Sequence, residues 1–455
     1  MFARKKHLKR ELSLTDLVMY GLSIIVGAGI YSLIGKAAGI SGNSLWLSFV
    51  FAGFIAIITG LSYAELSSMF PRNSAEYTYT REAFLSKRFS FSLSWLIIFI
   101  GAVAASTIAL GFGGYFEALI GTPLLYNALG LIIVLSILGM YGLRESMEAL
   151  YAMTIATLLG LLAIVAYSWK YIGTVNYFEM PNGISGVLEA SAFVFFAYLG
   201  FEAIANMSEE TRNPKRVVPC AILISIAIAT VIYIIVAISS VSAVSWNVLS
   251  ASNAPVTDIA SKVMPNASFI ITIIALLATA STVLTFLIAS SRRIYGMTEE
   301  HSLPGIFAYV HPKQGTPCVA ILSFAVIASL FTLINDISFV AKVANFGSFL
   351  IFGVVHISLI ELRYREPHAK RKYRVPLNIG KFPLLAGVGI VLSSIMMFQF
   401  SLFVALISAV IFFSGALVYS MVENISKMIV FLSKVLRIIY ELIRRKQGFS
   451  KNYGH

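Results

Sequence analysis

Ile24-Ile25-Val26-Gly27-Ala28-Gly29-Ile30-Tyr31 and Phe195-Phe196-Ala197-Tyr198-Leu199-Gly200-Phe201-Glu202 decide the fold of this chain. Each lies in the middle of an apolar run long enough for a helix, and each carries glycine there. Glycine costs about 1 kcal/mol in a helix interior, so Gly27 and Gly29 together make local unwinding cheap. Taken alone, the first stretch is also compatible with close helix packing, because glycine is common where membrane helices touch. The second stretch sets an acidic residue, Glu202, beside its glycine.

The composition around these stretches fixes the class. The chain has 455 residues, 58% hydrophobic and 12% charged, with a mean hydropathy of +0.85. Soluble domains run about 45–50% apolar and about 25% charged. Disorder, a secreted disulfide scaffold and a soluble enzyme are therefore excluded in favour of an all-α polytopic membrane bundle. A span needs about 20 apolar residues to cross about 30 Å of hydrocarbon. Such stretches occur at 15–38, 43–68, 92–116, 124–142, 149–170, 187–207, 218–243, 267–291, 317–335, 338–361, 382–399 and 401–421, which predicts 12 transmembrane helices. The last two form one charge-free run. As a single helix it would be about 60 Å long, twice the bilayer core, so a turn is predicted near Gln399-Phe400-Ser401. Long continuous runs exclude a transmembrane β-barrel, whose strands are short and alternating.

Charge gives the orientation. With both termini inside, all but Lys36, Lys170, Lys262 and Lys342 of the 34 Lys and Arg fall in cytoplasmic segments, as the positive-inside rule requires. The net charge of +13 is then a matter of topology, and no nucleic-acid partner is implied. The expected organisation is a basic cytoplasmic N-terminus (1–13), a transmembrane domain (14–422) and a basic amphipathic cytoplasmic tail (423–455) lying on the anionic inner leaflet. No cleavable signal pattern precedes the first span. Cys220 and Cys318 begin separate spans and read as packing residues. No metal site or cofactor is expected.

The first and sixth spans are corresponding members of two five-helix halves, 14–170 and 187–365, with helices 382–421 added. Paired interruptions at matching places point to a 5+5 inverted-repeat transporter with a central site. Freed N–H groups at a half-helix start attract a carboxylate, and freed carbonyls at the end of another half-helix accept from an ammonium group. A zwitterion is thus held without charged side chains in the membrane, each of which costs about 3 kcal/mol or more.

Further motifs extend the pattern: Tyr63-Ala64-Glu65-Leu66 through Met69-Phe70-Pro71, Glu209-Glu210-Thr211-Arg212-Asn213-Pro214-Lys215-Arg216 ahead of Pro219, Ser291-Arg292-Arg293-Ile294-Tyr295-Gly296-Met297 with Leu303-Pro304, and Glu361-Leu362-Arg363-Tyr364-Arg365-Glu366-Pro367. In this order, from Leu14 to about Met421, the sequence resembles the amino acid/polyamine/organocation (APC) family of secondary transporters, which share the leucine-transporter fold. The resemblance implies that the backbone at Gly27, Ala28 and Gly29 holds the substrate carboxylate. Carbonyls at Ile25, Phe196 and Leu199 would hold the amine, with Ala197, Tyr198 and Gly200 completing the broken segment. Phe196 stands where the similar arginine/agmatine antiporters carry an aromatic gate; the alternative is a core aromatic. Ile97, Ile98 and Ala102 on the third span would face the substrate side chain. These positions are all apolar, which implies a neutral, hydrophobic amino acid rather than a cationic one.

Three couplings stay open. Glu202 carries a proton, the Ser281–Thr282 region on the eighth span binds sodium, or the protein exchanges substrates. Protons are favoured because Glu202 is the only acid placed near the breaks; the alternative for Glu202 is a fixed hydrogen bond to backbone. Some proton-coupled relatives place a lysine on the fifth span, and the matching position here is near Thr157. Thr279, Ser281 and Thr282 have an alternative role too, bonding the carbonyl one turn back. Lys342 is expected to snorkel outward, while Glu65, Glu209 and Glu210 are expected to be cytoplasmic-side structure tied to the nearby Arg and Lys. No HExxH, paired-aspartate or nucleophile-elbow motif marks an enzyme. An amino acid sensor on the same scaffold remains the competing class. The expected place is the plasma membrane.

Overall fold

A computed structural model describes residues 10–252, 255–300, 302–334 and 337–424; the predicted tail helix on the membrane surface lies outside the described residues. The apolar stretches fold as helices with few exceptions in between. Helices α1 (Leu14–Ile25) and α2 (Ala28–Ser41) are the two halves of the first stretch, followed by α3 (Leu45–Met69), a short α4 (Ala75–Phe84), α5 (Lys87–Ile120), α6 (Leu124–Tyr141) and α7 (Leu143–Ser168). The second half begins with α8 (Gly183–Val194), which passes into 3₁₀ turns over Phe195–Tyr198 and Phe201–Glu210. It continues with α9 (Pro214–Ala243), the short α10 (Trp246–Ala251) and α11 (Pro255–Val263), then α12 (Ser268–Glu299), α13 (Cys318–Thr332), α14 (Ile337–Arg365), α15 (Leu384–Met397) and a last helix, α16, over Leu402–Asn424. The chain reverses at residues 398–400, where the length of the charge-free run predicts a turn.

Among the described residues nine helical stretches are long and apolar enough to cross a membrane, and α13 and α15 are shorter apolar helices of 15 and 14 residues. The 56-residue stretch Leu14–Met69 contains two of the expected spans. The most extensive packing is α3 on α9, then α5 on α12, so the helices of the two halves interleave rather than sit side by side. A two-stranded hairpin, Asn378–Ile379 with Phe382–Pro383, leads into α15.

Two sets of links define two faces. On one, Glu11 and Leu12 donate their N–H groups to the Glu210 carbonyl at 2.9 and 3.0 Å, and Asn73 Oδ1 accepts from the Glu209 N–H at 2.9 Å. Arg81 of α4 pairs with Glu300 on the same face. Deeper on this face three acidic residues sit in buried ion pairs. Glu65 accepts from Arg363 Nε at 2.8 Å and from the Val375 N–H at 2.7 Å and pairs with Arg371 at 3.0 Å; Arg292 pairs with Glu210 at 3.4 Å; Arg293 pairs with Glu76 at 3.3 Å. Burial pushes the Arg371 guanidinium below its ordinary range, opposed by the Glu65 carboxylate. Glu209 lies 4.0 Å from Arg72. The pairing expected for Glu65, Glu209 and Glu210 is present, and for the buried two the partners come from spans far away in sequence. On the other face Asn43 Nδ2 meets Glu179 at 2.5 Å and Trp46 Nε1 donates to the Tyr177 carbonyl at 3.0 Å. Lys342 is exposed, while Cys220 and Cys318 are free thiols.

Candidate functional site at the paired helix breaks

The first break is Val26–Gly27. Val26 keeps a last helical bond to the Leu22 carbonyl at 2.7 Å, and Gly27 turns the chain with φ −118° and ψ −136° before α2 restarts at Ala28. The second break is Leu199–Gly200, with Gly200 at φ +109°, a conformation that glycine reaches without the Cβ penalty. Both breaks are buried, and they touch. A Cβ added to Gly29 would stand 2.5 Å from the Cα of Ala197, so the two segments meet backbone to backbone.

A helix restart leaves four N–H groups without intrahelical partners. Here two are used internally: Gly27 N–H goes to the Ile25 carbonyl at 2.9 Å and Ala28 N–H to Thr282 Oγ1 at 3.1 Å. The remaining first-turn donors, Gly29 and Ile30, have no hydrogen bond among the described residues. On the carbonyl side, Phe196 accepts from Leu199 N–H at 3.2 Å, and Ile25 accepts from the Tyr233 hydroxyl. That hydroxyl also reaches the Ala197 carbonyl, at 2.9 Å. Tyr233 of α9 therefore ties both broken segments together from a third span.

The remaining candidates divide. Ile97, Ile98 and Ala102 are all buried, and Ile97 lines a small cavity beneath Leu199 together with Glu202. Phe195 sets its ring 4.6 Å from Phe349 and 5.9 Å from Phe352; Phe196 is buried in the same apolar core, with no ring contact among the described residues. Tyr198 is buried, with its hydroxyl on the Phe49 carbonyl at 3.0 Å and its ring against Tyr233. Glu202 accepts from the Gly200 N–H at 2.9 Å, directly below the turn. Ser281 bonds the Ala278 carbonyl at 2.9 Å. Thr282 bonds that carbonyl at 2.9 Å as well and also the Ser23 carbonyl at 3.4 Å, while Ser23 Oγ pairs with Thr285 Oγ1 at 3.0 Å. These hydroxyls join α12 to α1 directly. Thr157 on α7 bonds the Met153 carbonyl at 2.8 Å, and its own carbonyl accepts from Tyr31.

Sequence reasoning missed Tyr233 and Asn345. Asn345 Nδ2 caps the end of α8 by donating to the Ala192 and Phe193 carbonyls at 2.8 and 3.1 Å. The available signal was weak: Tyr233 is the sole aromatic between Ala221 and Ala243. Among the described residues no group of three or more His, Cys, Asp or Glu could hold a metal ion.

A polytopic helix bundle with two buried broken segments in backbone contact has the architecture of a membrane transporter. The chain belongs to the amino acid permease family, whose profile matches residues 12–405. It is 30% identical over 409 residues to a branched-chain amino acid permease of Bacillus subtilis (strain 168), covering 85% of this chain and 87% of that protein. A methylthioribose transporter of the same organism is 30% identical over 396 residues, 82% of this chain and 86% of that protein. Cationic amino acid transporter 4 of Homo sapiens is 28% identical over 385 residues, 79% of this chain but 60% of that longer protein. The relatives are transporters, and this chain is not an enzyme.

Proposed function

We propose that this permease is a secondary active transporter of neutral, hydrophobic amino acids, with 12 spans in two inverted five-helix repeats and both termini in the cytoplasm at the plasma membrane. The backbone contact of Gly29 with Ala197 carries the proposal, because it brings the restart of the first helix, whose Gly29 and Ile30 N–H groups have no hydrogen bond among the described residues, against the other broken segment. A carboxylate takes the N–H groups and an ammonium group takes the carbonyls. Ile97, Ile98, Ala102 and Phe196 leave the substrate side chain an apolar setting. The branched-chain permease supports this substrate class, whereas the cationic transporters and the methylthioribose transporter are the alternatives that a test must separate.

For the driving force, a proton on Glu202 is favoured. Glu202 is an acid within two residues of the turn at Gly200, and the hydroxyls of Ser281 and Thr282 are already engaged with backbone. Sodium coupling, substrate exchange and an amino acid sensor are the competing readings. The deciding experiment is uptake into proteoliposomes of labelled isoleucine, leucine, valine, arginine, lysine and methylthioribose, with an imposed pH gradient. Accumulation of the branched-chain amino acids alone is the expected result. Accumulation of arginine, lysine or methylthioribose in their place overturns the substrate class, and binding without uptake favours the sensor.

A further inference from the structure

Leu199, at the second break, lines a cavity with room for a water molecule. Glu202 enters it from the broken sixth span, Tyr63 from α3, Glu76 from α4 and Arg293 from α12, while α5 and α14 contribute only neutral side chains, among them Ile97 and Ser348. Glu76 and Arg293 are buried and paired at 3.3 Å, but the pair is incomplete. Glu76 Oε1 accepts from both Arg293 and Tyr63, leaving Glu76 Oε2 and Arg293 Nε buried without hydrogen-bond partners. Two unpartnered buried polar atoms of opposite kind beside one water-sized space are the signature of an ordered water, since each orphan otherwise bears its full desolvation cost.

We propose that this cavity holds a water bridging Glu202, Glu76 Oε2 and Arg293 Nε, and that Glu76 is the second carboxylate of a proton relay between the helix break and the cytoplasmic face. The water accepts from Arg293 Nε–H and from protonated Glu202, and donates to Glu76 Oε2. One step then moves the proton of Glu202 onto the water as a water proton passes to Glu76. The count of protons is unchanged and the charge moves from Glu76 to Glu202. Arg293 is a positioning residue: it orients the water and pairs with Glu76 between transfers. Helix α4, which carries Glu76, is held in place by Arg81–Glu300 and by the Ala75 N–H on Asn206 Oδ1 at 3.2 Å.

The proposal rests on Glu202 carrying the proton, and the test separates the two. Wild type, Glu76→Gln, Glu76→Asp and Glu202→Gln are reconstituted, and substrate accumulation under an imposed pH gradient is compared with counterflow at equal pH on both sides. The expected result for Glu76→Gln is accumulation slowed about 10-fold or more with its pH dependence flattened, counterflow kept within about 3-fold, and partial recovery in Glu76→Asp. If Glu202→Gln loses pH-driven accumulation while Glu76→Gln keeps the wild-type pH profile, the relay is overturned and Glu202 stands. If both variants keep it, the proton reading itself fails. Equal loss of counterflow and accumulation in both Glu76 variants makes Glu76 structural and also overturns the relay.

Discussion

Gly29 and Ala197 are in backbone contact across 168 residues of sequence, with no room for a side chain on the glycine. The two helix breaks are thereby one structural feature. Anything that separates the two residues changes both broken segments together.

Gly29→Ala is expected to force the broken segments apart. Overpacking of this kind costs about 1–3 kcal/mol. Transport should be lost or strongly reduced, with a lower thermal midpoint in detergent. Gly353→Ala is the control, because an added Cβ there meets nothing within 4 Å. An unaltered midpoint and normal transport in Gly29→Ala would show that the close contact is dispensable.

Tyr233→Phe keeps the ring and removes the hydroxyl shared by the Ile25 and Ala197 carbonyls. Leaving buried carbonyls without this partner should cost about 1–3 kcal/mol. The ring contact with Tyr198, at a centroid distance of 5.2 Å, remains. A thermal-shift measurement detects the loss; a midpoint equal to wild type contradicts the bridging role.

Glu202→Gln should abolish accumulation driven by a pH gradient while retaining substrate binding, because the amide resembles the protonated acid. Binding is measured by scintillation proximity and accumulation in proteoliposomes. Uptake by this variant that still follows an imposed pH gradient removes Glu202 from the coupling.

Replacing sodium with choline is expected to leave wild-type uptake unchanged, since Thr282 Oγ1 already serves Ala28 N–H and two carbonyls. A sodium-dependent rate that disappears in Thr282→Val would falsify the proton assignment and place a cation between α1 and α12.

Arg363→Met should strand the Glu65 carboxylate, buried with Val375 N–H and Arg371 beside it. Breaking a buried pair from one side costs about 3–5 kcal/mol. Arg72→Ala at the solvent-exposed 4.0 Å contact with Glu209 should cost about 0–1 kcal/mol. Comparable thermal shifts for both variants would mean that burial does not set their difference.

The sequence alone determined where the helices run and where two of them break. Apolar length is a local property, so the stretches at 15–38 and 187–207 and the turn after Met397 were legible from composition. Glycine acts on its own backbone, so Gly27 and Gly200 marked their breaks directly. Only the tertiary structure decided which polar atoms meet: Tyr233 on Ile25 and Ala197, Thr282 on Ala28, Asn345 on the end of α8, and Glu76 with Arg293 around the cavity of Glu202. These pairings depend on the rotation of each helix about its axis and its height in the bundle. A helix apolar on every side has no polar face from which that rotation can be read, so the partners of its few polar atoms are fixed by packing between spans far apart in the chain.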